Sequence, residues 1–221
     1  MSENTELFSG KTNAYADGRP GYPAAAIDYI AALVPEGAVF ADFGAGTGKF
    51  TELIAQRGYP IIAIEPNEEM REHLETTLAP YANAKIVNGT AEESTLPHQS
   101  VDVIASAQAL HWFDLDAFRT ECRRIAKPGA IVIAVYNGSD FPKGRITAEA
   151  FFENITMQEF PNPQYYTREG WVKYMTSHAS DPLPSDPRYE AHIKRVNEVF
   201  DRDSENGLLH RPVETQVYHE V

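Results

Sequence analysis

From Ala38 to Tyr136, short β-branched apolar runs alternate with segments in which apolar residues recur at helical spacing. Ala38–Asp42 reads as a strand that runs into a glycine-rich turn. Phe50, Leu53 and Ile54 then share one face of a helix that Gly58 stops. Pro60–Glu65 is a second buried strand. Asn67 suits the cap of the next helix, Glu68 and Glu69 its electropositive first turn, and Met70, Leu74 and Leu78 its inward stripe. Ala84–Asn88 and Val101–Ala105 are a third and a fourth strand. A helix over Asp114–Ala126 is broken by Lys127-Pro128-Gly129, and Gly129–Tyr136 is a fifth strand.

Strands that are apolar throughout are covered on both faces, and their alternation with helices makes the sheet parallel. Right-handed crossovers then give a doubly wound α/β fold, with ligands bound outside the carboxyl ends of the strands. The turns after Asp42, Glu65, Asn88 and Ala105 are therefore expected to line one crevice. Ahead of this core, Tyr15–Pro23 is dense in turn residues and leads into a helix ending near Val34. Beyond Asn137 the pattern loosens. Helices are expected over Thr167–Ser177 and Pro187–Arg202, and Val213–His219 alternates like an antiparallel edge strand.

Composition narrows the partners. The 221 residues are 43% hydrophobic and 23% charged, as in a globular protein rather than a fibrous or disordered one. With 19 basic and 32 acidic residues the net charge is −13, and no Lys/Arg cluster opposes it. Nucleic acid is therefore not expected as a partner. A single cysteine, Cys122, excludes an intramolecular disulfide and a thiolate metal cluster. It falls on the stripe Leu115, Phe118, Cys122, Ile125, which is core spacing. The histidines lack the close spacing of a metal-binding helix, so no metal site is expected. The acidic start carries no secretory pattern, and the longest apolar run, near Ala130–Tyr136, is too short to span a bilayer. A cytoplasmic protein is expected.

The candidate chemistry centres on Asp42-Phe-Gly-Ala-Gly-Thr-Gly48. Glycines at 44 and 46 let a ligand approach the backbone, and the helix that follows offers free N–H groups to an anion. A phosphate-binding P-loop requires glycine at 43 and a hydroxyl residue at 50, where Phe43 and Phe50 stand. A dinucleotide fingerprint requires a small residue at 49, and Lys49 stands there. The remaining pattern suits a ligand with one carboxylate and no pyrophosphate. Glu65, at the end of the second strand, is placed either to accept both hydroxyls of a ribose or to cap the following helix.

Asp42–Gly48, Glu65, Gly89-Thr-Ala-Glu92 and Gln108-Ala-Leu-His-Trp-Phe-Asp114 resemble the successive motifs of class I S-adenosylmethionine-dependent methyltransferases. Tyr15, Arg19-Pro-Gly-Tyr-Pro23, Phe160-Pro-Asn-Pro-Gln164 and Thr215-Gln-Val-Tyr218 are similar to one branch of them, the methyltransferase type 11 or trans-aconitate-methyltransferase-like proteins. The resemblance implies a mostly parallel, seven-stranded Rossmann-like sheet with an antiparallel edge strand and helices on both faces. It implies S-adenosylmethionine as cofactor and a small-molecule methyl acceptor. It also implies a single domain over 1–221: an N-terminal lid and helix at 1–35, a cofactor-binding core at 36–137, and an acceptor-side segment at 138–221.

Carried over by residue, Gly44, Ala45 and Gly46 line the methionine moiety and Glu65 holds the ribose. Pro66 and Met70 border the adenine, Ala91 and Glu92 contact it, and Ser106 and Ala107 meet the amino-acid end. Tyr15 and Arg19 belong to the lid. Between the fifth strand and Phe151 the chain is shorter than is usual in the family, which implies an abbreviated helix or an open segment.

His111 borders the crevice, either as a general base beside an apolar Trp112 or as a residue wedged at a turn that Trp112 and Phe113 anchor. Phe160, Tyr165, Tyr166, Trp171 and Tyr174 suit either an acceptor pocket or a core. No G-x-S-x-G elbow supports a hydrolase. A cofactor-binding protein without turnover and a nicotinamide oxidoreductase stand as alternative functions.

Overall fold

Five parallel strands make up most of one sheet: β1 (Phe40–Phe43), β2 (Ile61–Ile64), β3 (Ala84–Val87), β4 (Val101–Ala107) and β5 (Ala126–Asn137), in the order β3-β2-β1-β4-β5. Beyond β5 the sheet continues through the last strand, β9 (Glu214–Glu220), to β6 (Thr156–Pro161). β9 runs antiparallel to both neighbours. This computed structural model describes residues 20–138, 142–178 and 181–220. The chain divides into two compact units. One comprises Gly21–Asn162 with the C-terminal strand, the other Pro163–Val213.

In the first unit each face of the sheet carries its own core. Ile27 and Ile30 of α1 (Ala24–Ala32) and Phe50 and Ile54 of α2 (Lys49–Gln56) pack on Phe40, Ile61, Val103 and Ile133. On the opposite face, Phe118, Cys122 and Ile125 of α4 (Leu115–Ile125) and Phe151 of α5 (Pro142–Phe151) pack on Phe43, Ile64, Ile104 and Tyr136. Alternate residues of one strand thus serve opposite cores, as the pleat requires. α3 (Glu68–Leu78) turns Leu74 and Leu78 onto Ala63, while Glu68, Glu69, Glu72 and Glu75 remain exposed. The Asn67 side chain caps it, accepting from the N–H of Met70 at 3.0 Å.

The architecture is the mostly parallel, seven-stranded α/β fold expected. The antiparallel strand, however, lies one place in from the edge. Five consecutive residues of β9, Thr215–His219, are buried, whereas β6 outside it is exposed along most of its length. The expected break at Lys127-Pro128-Gly129 is also placed differently. β5 begins at Ala126, paired with Val101, and the register jumps to Val103 opposite Ile131. The four residues between form a bulge that accommodates the missing N–H of Pro128 and the left-handed backbone of Gly129 at φ 81°. The short stretch after β5 is filled by α5, whose last carbonyls, from Ala150 and Phe151, accept from the Arg119 guanidinium.

The second unit contains β7 (Gln164–Tyr166), α6 (Arg168–Met175), α7 (Tyr189–Asp203) and β8 (Leu209–Arg211). Tyr166, Trp171, Val196, Phe200 and Leu209 form its core with Tyr174 against it, and the Trp171 indole N–H donates to the carbonyl of Val196 at 3.0 Å. For Tyr166, Trp171 and Tyr174 the structure therefore gives the core role. Tyr165 is exposed and stacked on His210, and Phe160 packs against Tyr29 in the first unit. No helix among the described residues is long and apolar enough to cross a membrane.

Candidate active site

The chain leaves β1 through three left-handed glycines, Gly44 (φ 68°), Gly46 (φ 58°) and Gly48 (φ 91°), and enters α2. The N–H groups of Gly44 and Ala45 both reach the carbonyl of Ile64, at 2.9 and 3.2 Å, which fastens the turn to the end of β2. At Gly44 a Cβ would stand 2.6 Å from the Cβ of Ala109, and at Gly48 one would stand 2.7 Å from Leu74 Cδ1. Backbone sign favours glycine at both, and at 44 the fixed Cβ of Ala109 adds a packing need.

Glu65 completes this fastening. One carboxylate oxygen accepts from the N–H of Gly46 at 2.8 Å and the other from the N–H of Asn67 at 2.9 Å. It therefore supports the start of α3 and the glycine turn together. Each oxygen keeps a lone pair for a further donor. Burial raises its pKa, opposed by the two N–H donors and by the nearby Arg71 guanidinium.

Asp42, the penultimate residue of β1, is 1% exposed. One of its oxygens accepts from the Thr51 hydroxyl of α2 at 2.5 Å, while Oδ1 has no hydrogen-bond partner among the described residues. Burial pushes its carboxyl up to about 7, with Thr51 opposing and Glu65 adding to the rise. The buried hydroxyls of Thr47, in the turn, and Ser106, on β4, likewise have no partner among the described residues. Buried polar atoms are nearly always satisfied, so three orphans at the ends of adjacent strands mark a place for polar ligand atoms or water.

Pro66 is half-buried and Met70 and Ala91 are buried. Glu92 is exposed and accepts from the N–H of Asp114 at 3.1 Å. The segment carrying Ala91 and Glu92 is also held by Glu121 of α4. Glu121 accepts from the N–H of Ser94 at 2.9 Å, from the Ser94 hydroxyl, and from Arg124 at 2.6 and 2.7 Å. Arg124 and Ser94 bring the Glu121 carboxyl down to about 2. Beyond β4, Gln108 adopts φ 60° and a short 3₁₀ turn, Leu110–Trp112, follows. His111 is half-buried there, with its ring 4.7 Å from Trp112 and 6.0 Å from Tyr136.

A methyltransferase domain family matches residues 41–134 of this chain. An uncharacterised methyltransferase of Mycobacterium tuberculosis is 33% identical over 192 residues, which span 82% of this chain and 76% of that protein. The chain belongs to the methyltransferase family. A protein of Anaeromyxobacter dehalogenans described as a type II methyltransferase has a similar structure, with a TM-score of 0.65 at 21% identity over 91% of this chain and 95% of that one. Phosphoethanolamine N-methyltransferase 2 of Haemonchus contortus, solved with phosphomonomethylethanolamine and S-adenosylhomocysteine, gives 0.62 at 13% identity over 100% of this chain and 60% of that one. At those identities the likeness is one of fold.

In this methyltransferase, hydrogen bonds bring Gly44, Ala45, Gly46 and Glu65 into one cluster, and the Asn67 cap joins Met70 to it. Ser106 and Ala107 end β4, the strand beside β1. Ala91 and Glu92 follow β3 and are tied to α4 instead. Tyr15 and Arg19, with the expected lid, lie outside the described residues. Cys122 is buried, and burial raises its thiol pKa, in keeping with a core role. Asp42 and Glu121 were missed as site residues. The sequence signal for Asp42 was its place at the head of the glycine motif, a carboxylate at the end of an otherwise apolar strand. For Glu121 it was an acid beside the apolar stripe of its helix.

Proposed function

We propose that this methyltransferase transfers a methyl group from S-adenosylmethionine to a small-molecule acceptor. The observation that carries the reading is the buried Glu65 carboxylate, locked to the N–H of Gly46 with lone pairs to spare. The oxygens of Asp42, Thr47 and Ser106, which have no partner among the described residues, fit a polar ligand. The S-adenosylhomocysteine in the similarly folded Haemonchus contortus enzyme supports the choice of cofactor. When bound, the sulfonium supplies an electrophilic methyl group.

Glu65 accepts the ribose hydroxyls. Gly44, Ala45 and Gly46 admit the methionine moiety, and Ser106 and Ala107 bound its amino-acid end. Pro66 and Met70 form an apolar wall for the adenine, whose edge meets Ala91 and Glu92. In-line displacement depends chiefly on alignment and dryness. Trp112 and Phe113 exclude water, and His111 takes the acceptor's proton where the acceptor is not already ionised. Tyr15 and Arg19 belong to the proposal on the sequence alone. A small acceptor accords with the net charge of −13 and with the small phosphomonomethylethanolamine bound to the Haemonchus contortus enzyme.

Calorimetry with S-adenosylmethionine, S-adenosylhomocysteine and NAD tests the cofactor. Binding of NAD in place of the first two would overturn the assignment. Transfer of a labelled methyl group across a panel of small amines, thiols and carboxylic acids then tests the activity.

A further inference from the structure

Two carboxyl groups flank the glycine turn, and their surroundings are unequal. Glu65 has two backbone N–H donors, with the Arg71 guanidinium nearby. Asp42 has one hydroxyl donor, from Thr51 of α2, and an Oδ1 that meets no donor among the described residues, while the residue is 1% exposed. From the end of β2 the charged group facing Asp42 is Glu65, a like charge that adds to the rise. Of two adjacent carboxyls, the one richer in donors keeps the charge and the poorer one takes the proton. The Thr51 hydroxyl accepts an O–H as readily as it donates one, so protonation leaves that contact intact.

Resting on the cofactor reading above, we propose that Asp42 is a proton-linked binding residue: a neutral carboxylic acid in the free protein that ionises when S-adenosylmethionine occupies the turn. The O–H bond of the carboxyl breaks, its electron pair stays on the carboxylate, and the proton passes to the solvent buffer. The new charge faces a ligand bearing sulfonium and ammonium cations, which takes over the compensation that the free protein leaves to the proton. Cofactor affinity thereby acquires a pH dependence from a residue beneath the turn. The sign follows from the free state. Below neutrality the protein must first give up a proton to bind, so affinity falls as pH falls; above it the proton is already gone and affinity levels off.

Calorimetric titration of the full chain with S-adenosylmethionine, in buffers of different ionisation enthalpy, counts the protons released. The ligand's own amino group titrates as well, so the readout is the difference between the wild type and Asp42→Asn. At pH 6 the wild type is expected to release about one proton more than the variant, and by pH 8.5 about the same number. Its dissociation constant should rise up to about tenfold per unit of falling pH below 6.5, against a flatter profile in the variant. Thr51→Val serves where Asp42→Asn does not fold: removing the hydroxyl that stabilises the carboxylate should move the proton release to higher pH. A buried carboxylic-acid infrared band, present in the free wild type at pH 6 and lost on binding, gives the same answer directly. Binding with equal proton release in wild type and variant, or with no such band, overturns the proposal and leaves the cofactor reading standing. Absence of binding by the wild type at every pH overturns the cofactor reading, and this linkage with it.

Discussion

The backbone N–H of Gly46 donates to the carboxylate of Glu65 at 2.8 Å, so the acid just after β2 holds the glycine turn just after β1. The same carboxylate takes the N–H of Asn67 at 2.9 Å and thereby sets the start of α3. One buried group thus orients two strand ends and two helix starts around the crevice. Glu65→Ala is expected to weaken S-adenosylmethionine binding by about 1.5–3 kcal/mol, the scale of hydrogen bonds to a charged group. That corresponds to a dissociation constant roughly 10- to 150-fold higher. Glu65→Gln keeps an acceptor oxygen and should lose less. Unchanged affinity in a folded Glu65→Ala protein removes the ribose assignment.

Gly44 separates the cost of backbone sign from the cost of space. Its φ is 68° and an added Cβ would lie 2.6 Å from the Cβ of Ala109, whereas Gly129 has φ 81° with open space around it. Gly129→Ala should therefore show the left-handed backbone cost alone, roughly 1–2 kcal/mol, and Gly44→Ala measurably more. Combining Gly44→Ala with Ala109→Gly relieves the overlap and should recover the excess without reaching wild-type stability. Denaturant midpoints decide. Equal losses at 44 and 129 would show that the turn accommodates the methyl group.

Much of this arrangement was legible because it is local. Continuous apolar runs marked the parallel strands, Asn67 marked a helix start, and the glycines and Glu65 marked two strand ends that a doubly wound sheet must bring side by side. What was not legible depends on residues distant in the chain. Val213–His219 read as an edge because it alternates, yet β6 pairs along its outer edge, and the cores on the two sides of the sheet take Val217 and Tyr218. Lys127-Pro128-Gly129 read as a break because a bulge shows only when the partner strand is known. Glu121 carried no role in the sequence because its partner Ser94 stands 27 positions earlier.

Glu121 is expected to govern the order of the segment carrying Ala91 and Glu92. Glu121→Ala leaves the N–H of Ser94 without its acceptor and Arg124 with the carbonyl of Leu96 alone, a loss of roughly 1–3 kcal/mol. Hydrogen exchange at residues 89–96 should accelerate while the strands of the sheet stay protected. Uniform acceleration across β1, β4 and β5 would mean that the contact supports the whole fold rather than this segment.

His219 is expected to make stability fall in mild acid. It lies on β9, 3% exposed, with Nε2 2.9 Å from the Tyr29 hydroxyl of α1 and with Nδ1 lacking a partner among the described residues. Burial holds its pKa below the ordinary 6.5, because the charged imidazolium would be enclosed beside a neutral phenol. The folded state therefore binds this proton less readily than the unfolded chain does. The stability the neutral ring contributes is complete above pH 6.5, declines as pH falls below that value, and stops declining once the folded-state pKa is passed. Asp42 and Glu121 titrate too, so the informative quantity is the difference between wild type and His219→Gln, in which their contributions cancel. The wild type's advantage in melting temperature should be constant from pH 7 to 8 and shrink below 6.5. Tyr29→Phe, which removes the hydroxyl and keeps the histidine, should preserve that pH dependence. A constant difference across the range, or an NMR titration of His219 at or above 6.5 in the folded protein, would show that the ring is not held neutral by its surroundings.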